Sequence, residues 1–93
     1  MPARIIYYHP LVLEKDVRML DKAMWDFICG IIRKKLITNA ESFGKPLRNA
    51  LRNARVLRVG DWRVVFQIIG NTVHVCTVRH WSEGYRCIET RFI

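Results

Sequence analysis

The chain has 93 residues, 51% hydrophobic and 26% charged, which suits a single domain over 1–93 with one core and excludes disorder over most of its length. Sixteen Lys and Arg against eight Asp and Glu leave a net charge of +8 and a pI near 10.0, an excess that points to polyanionic partners: RNA, DNA or an acidic protein. The three cysteines, Cys29, Cys76 and Cys87, are odd in number and in no metal-ligand spacing, so a disulfide framework and a zinc site are not expected and the thiols read as small buried hydrophobes.

The opening stretch, MPARIIYYHP, lacks the apolar core and cleavage site of a signal peptide, and no later stretch has the length of a membrane span; a cytoplasmic protein is expected. Residues 4–8, RIIYY, are rich in branched and aromatic side chains and stop at His9-Pro10, which predicts a first strand. Pro10 suits a first helical turn, and the spacing of Leu13, Val17 and Leu20 predicts a helix over 11–20. Asp21 is an N-cap for a second helix over about 22–37.

In that second helix Trp25, Ile28, Cys29, Ile32 and Leu36 form one stripe, which Met24, Phe27 and Ile31 widen. So apolar a helix needs cover on more than one side, from the sheet and first helix or from a partner laid over Trp25, Ile28 and Ile32. Gly44 and Pro46 predict a loop over 38–53 with at most one helical turn. Three strands follow, at about 54–59, 62–69 and 72–80, joined by the turn dipeptides Gly60-Asp61 and Gly70-Asn71. The tail SEGYRCIETRFI reads equally as a short helix or an extended segment.

The order β-α-α-β-β-β leaves the last three strands with connections too short for parallel crossovers. An α+β fold is expected: a small, curved, mainly antiparallel sheet with two helices packed on one face.

Alternation along 62–69 places Trp62, Val64, Phe66 and Ile68 on one sheet face and Arg63, Val65, Gln67 and Ile69 on the other. Arg63 thus sits on the less apolar side, facing either solvent or a ligand. Arg48, Arg52, Arg55, Arg58, Arg79 and Arg86 share its half of the chain. Guanidinium groups fork onto phosphate oxygens and stack on bases, but they cannot act as general bases. Proton-transfer candidates are His80 and Tyr85, with Glu83 behind them, in the stretch RHWSEGY; Trp81 can stack on a base or simply pack. There is no phosphate-binding glycine loop, nucleophile elbow or metal-spaced cluster. A metal-free, cofactor-free phosphodiester chemistry fits: the RNA 2′-hydroxyl is a built-in nucleophile, needing a base, an acid and cations for the pentavalent transition state.

If Gly70-Asn71 is a tight two-residue loop, Trp62 pairs with Arg79, which puts Arg63 and Arg79 on opposite faces. A three-residue loop, a bulge, or Arg79 lying past the last pair reunites them.

The run GKPLRNAL…RVLRVGDWRVVFQIIGNTVHVCTVRHWSEGY over 44–85, preceded by EKDVRMLDK and a long helix, resembles the RelE/ParE superfamily of bacterial toxins. LRVGDWRVVF and the R-x-x-S-E-x-Y ending at Tyr85 carry most of the likeness, which is closest to the RelE-like mRNA interferases. The resemblance implies a metal-independent, ribosome-dependent endoribonuclease that cuts mRNA, with the ribosome, mRNA and an acidic antitoxin as partners. It implies catalytic roles for Arg63 at the scissile phosphate, Arg79, Tyr85 in proton transfer, and His80. Lys45, Arg48, Arg52, Arg55, Arg58 and Trp81 are the RNA-binding candidates, and Trp25, Ile28 and Ile32 the antitoxin-binding ones. RelE carries two strand lysines where this chain has Val56 and Ala54, two and four positions before Arg58. A ParE-like poison of DNA gyrase without nuclease activity is the alternative, and a non-catalytic basic RNA-binding module the third reading.

Overall fold

The computed structural model describes residues 3–46 and 53–93. Strand β1 (Ile5–Tyr8) runs into helix α1 (Pro10–Glu14), where the His9 side chain accepts from the Leu11 amide at 3.1 Å and Pro10 occupies the first turn. The expected helix over 11–20 stops at Glu14. A 3-10 turn over Asp16–Met19 follows, because Asp16 turns inward to bonds on the sheet that a continuous helix would deny it. Helix α2 (Lys22–Asn39) is capped by Asp21, whose carboxylate accepts from the Met24 amide at 2.7 Å. A 3-10 turn over Ala40–Ser42 leads to the two-residue strand β2 (Lys45–Pro46), where only a loop was expected.

Strands β3 (Arg55–Val59), β4 (Trp62–Ile69) and β5 (Thr72–His80) form two hairpins with two-residue loops. Gly60 and Gly70 lead those loops at φ +59 and +57, the positive φ that such tight hairpins require. The five-stranded sheet has the order β1-β5-β4-β3-β2, with β1 parallel to β5 and the other pairs antiparallel. This is the α+β architecture expected, with a parallel edge strand. The tail resolves into two 3-10 turns, Trp81–Glu83 and Ile88–Arg91.

The main core lies between the helices and one sheet face: Val12 of α1 and Ile28, Ile32 and Leu36 of α2 meet Leu57, Val64, Phe66, Val73 and Val75. The opposite face carries a smaller cluster of Ala54, Val65 and Cys76, roofed by Ile88 and Phe92 of the tail. Ile28 and Ile32 are fully buried and Trp25 is half-buried against the main core and Tyr8. That corrects the expectation of a partner over Ile28 and Ile32, which face the sheet; Trp25 keeps part of its surface free, and the large apolar residue α2 leaves most exposed is Phe27. Among the described residues no helix is long and apolar enough to cross a membrane.

Candidate functional site

The face away from the helices carries a row of arginines. Arg58 on β3 pairs with Arg63 on β4, and Arg63 pairs with Arg79 on β5. Directly opposed side chains stand on the same face, so the three form a band about 10 Å across at strand spacing. A bulge decides this. The Gly70-Asn71 loop is a two-residue one, yet the register shifts between Val65 and Phe66, where Val65 faces Thr77 and Phe66 faces Val75. Cys76 is the extra residue, and it turns Arg79 onto the face of Arg63. Of the three routes the sequence left open, the bulge is the one taken.

Like charges directly opposed across strands are destabilising. None of the three arginines is in an ion pair with a described residue, so the row keeps its positive charge undiluted. The Arg63 guanidinium folds back over the β3–β4 turn through Nη1, which donates to the carbonyls of Gly60 at 2.8 Å and Trp62 at 3.0 Å. The Arg79 guanidinium donates from Nη1 to the carbonyls of Gly84 at 3.2 Å and Arg86 at 2.8 Å. Those two residues flank Tyr85, so Arg79 holds the loop that carries the partly exposed phenol. Next to Arg79 is an open depression of about 400 Å³, also lined by Lys15, Glu83, Arg86 and Arg91. A second, of about 380 Å³, lies at the other end of the row, between Arg58 and the segment Ser42–Lys45.

Not every sequence candidate joins the row. Lys45, opposite Val56 in β2, is exposed on the same face and extends it towards the sheet edge. Arg55 pairs with Phe66 on the helix side. Its guanidinium is occupied by the carbonyls that follow α2, those of Gly44 at 3.0 Å, Glu41 at 3.3 Å and Phe43 at 3.5 Å. Arg55 is thus a loop staple and is set apart from the arginine row. His80 stands opposite Trp62, edge-on at 5.4 Å between ring centroids, with Nδ1 bonded to the Ser82 hydroxyl at 2.7 Å. It is on the helix side, whereas Arg63 and Arg79 are on the other. Trp81 is exposed, and its amide donates to the Asp61 carbonyl at 2.9 Å, tying the tail to the β3–β4 turn. Arg48 and Arg52 lie outside the described residues.

Sequence reasoning missed the support beneath the row. Asp16 and Arg91 form a buried ion pair at 2.7 Å, and Asp16 Oδ2 also accepts from the Thr77 hydroxyl at 2.7 Å and the Val78 amide at 2.9 Å. Beyond Val75 no part of β1 pairs with β5, and these side chains satisfy the β5 edge there instead. Arg91 Nη1 donates to the Cys76 carbonyl at 3.2 Å, so the bulged residue is bonded as well. The available signals were weak: an aspartate inside an apparent helical run and an arginine in a tail of mixed polarity.

Chemically, a band of this kind is suited to an extended polyanion and to charge developing on a phosphate, and Arg79 ties to it the loop on which Tyr85 sits. No family model and no curated protein matches the sequence. The fold is similar to that in the crystal structure of the toxin-antitoxin complex RelBE2 from Mycobacterium tuberculosis, with a TM-score of 0.76 and 22% identity over 86% of this chain and 93% of that chain.

Proposed function

We propose that this chain is the toxin of a toxin-antitoxin pair, a RelE-like endoribonuclease that cleaves mRNA on the ribosome and is neutralised by an acidic antitoxin. The observation that carries the reading is the Arg58–Arg63–Arg79 row, with the Tyr85 loop bonded to its Arg79 end. The shared fold with a protein from a toxin-antitoxin complex supports it, as does the motif resemblance over 44–85.

In this reading Arg63 and Arg79 bind the scissile phosphate and stabilise the pentavalent transition state as the 2′-hydroxyl attacks. The net charge of +8 speeds encounter with the polyanion. Tyr85 transfers a proton at the attacking or leaving oxygen, and Arg58 and Lys45 hold the strand on either side of the cut. His80 serves the tail through Ser82, since its ring lies on the other side of the sheet. An acidic partner is drawn by the same charge and covers the row.

The test is cleavage of a defined mRNA in a purified translation system. Wild type cuts the message, and folded Arg63→Ala loses about 10² to 10³ in rate, the typical cost of one preorganised charge. Wild-type cleavage by folded Arg63→Ala refutes the assignment. Gyrase-dependent DNA cleavage without any RNA cleavage replaces it with the ParE-like alternative.

A further inference from the structure

We infer that Thr77, its hydroxyl aimed by the buried Asp16, is a positioning residue that sets the Arg79 guanidinium in the arginine row. A threonine hydroxyl has one proton to donate and two lone pairs. Here all three are used. Asp16 Oδ2 lies 2.7 Å from Thr77 Oγ1, and since a carboxylate can only accept, the hydroxyl proton must point at Asp16. Both lone pairs are then directed at the two arginines: Arg79 Nε donates to Oγ1 at 3.0 Å and Arg91 Nη1 at 3.1 Å.

The hydroxyl therefore cannot rotate, and it defines where Arg79 Nε lies. Nη1 of the same guanidinium is held by the Gly84 and Arg86 carbonyls. A planar group pinned at Nε and Nη1 has a fixed plane, and Nη2 is left as the nitrogen that can meet a ligand. The bulge matters again: it places Thr77 opposite Val65 and Arg79 opposite Arg63, so the hydroxyl and the guanidinium it holds share one face. Asp16 is itself held by Arg91 and the Val78 amide, with less than a tenth of either ion-pair side chain exposed. The chain Arg91–Asp16–Thr77–Arg79 thus runs from the interior to the row. Arg58, with no side-chain bond to a described residue, has no such support.

The consequence for catalysis rests on the ribonuclease reading above, whereas the positioning is testable without it. In ¹⁵N-resolved NMR of the unmodified protein, the Arg79 Nε–H should exchange with water at least about tenfold more slowly than that of Arg58, as expected for a half-buried bonded donor against a solvated one. Thr77→Val and Thr77→Ala should abolish that protection, and Thr77→Ser, which keeps the hydroxyl, should restore it. In the translation assay the same two hydroxyl-free variants should lose about 10- to 100-fold in kcat with KM little changed, the signature of a misplaced catalytic group, again with rescue by Thr77→Ser.

Equal exchange at Arg79 and Arg58 in wild type overturns the inference, whatever the variants do. So does protection that survives in folded Thr77→Val or Thr77→Ala. If wild type cleaves no mRNA but the exchange pattern holds, the functional reading fails and the positioning stands.

Discussion

Replacing Arg91 by Met removes the cation from a buried pair while keeping the apolar stem. Asp16 and Arg91 are 2.7 Å apart with side chains 9% and 8% exposed, so the carboxylate left behind cannot be resolvated without opening the tail. Breaking a buried pair by deleting one partner costs about 3–5 kcal/mol. That is a large part of the roughly 5–15 kcal/mol that stabilises a domain of this size. At about 4–8 °C per kcal/mol for a 60–100-residue domain, Tm should fall by roughly 12–40 °C. The double variant Asp16→Leu/Arg91→Met should recover much of this, because no charge is stranded. What remains is the cost of the Val78 amide, the Thr77 hydroxyl and the Cys76 carbonyl that the pair had satisfied, about 1–3 kcal/mol for each buried orphan. Urea unfolding followed by circular dichroism measures all four corners of the cycle. A loss below about 1 kcal/mol in Arg91→Met, or strict additivity in the double variant, would refute the reasoning, since residues in direct contact should couple.

Burial pushes the Cys76 thiol up to about 12, so at pH 8 a thiol reagent should modify exposed Cys87 promptly and Cys76 only on unfolding. A folded thiol that holds its proton above the unfolded value of about 8.5 contributes stability that is lost as pH rises through that value towards 12; Cys76→Ala should flatten the alkaline arm of the stability profile, and an unchanged slope would count against this. His9 is held below the usual histidine range by burial and then by Arg91 and His74 nearby, and its Nδ1 must be unprotonated to accept from Leu11. With its folded pKa depressed, its stabilisation is present above about 6.5 and lost as pH falls below; wild type should therefore lose more stability than His9→Asn between pH 7 and pH 5, and parallel profiles would sink the idea. Under the toxin reading, Tyr85→Phe should slow single-turnover cleavage more than it weakens ribosome binding. His80→Ala should cost less than Tyr85→Phe, and an equal or larger loss would move proton transfer to His80.

Much of the fold is written locally and could be read without coordinates. Period-two alternation between Gly60-Asp61 and Gly70-Asn71 bounds β4 and β5 at the residues where they occur, because hairpin loops and the strands they join are neighbours in sequence. The Asp21 cap likewise starts α2 where its side chain predicts. The same alternation placed Arg63 on the face away from the main core.

Contacts between distant residues decided the rest. The partner of β1 is β5, joined in parallel at Ile5↔Thr72, a pairing that no local period encodes. Arg79 reached the face of Arg63 through a bulge at Cys76, which is sustained by side chains 61 and 75 residues apart in sequence, Thr77 with Asp16 and Arg91 with Asp16. Composition could not separate Arg55, which spends its guanidinium on loop carbonyls, from Arg58, which spends it on no described residue: both are arginines on one short strand, and only the packing of the α2–β2 loop distinguishes them. The apolar width of α2 was visible, but not which side of it the sheet would claim. Ile28 and Ile32 went to the core and Phe27 to the surface, because a helix of this length has one buried face and its azimuth is set by the sheet beneath it.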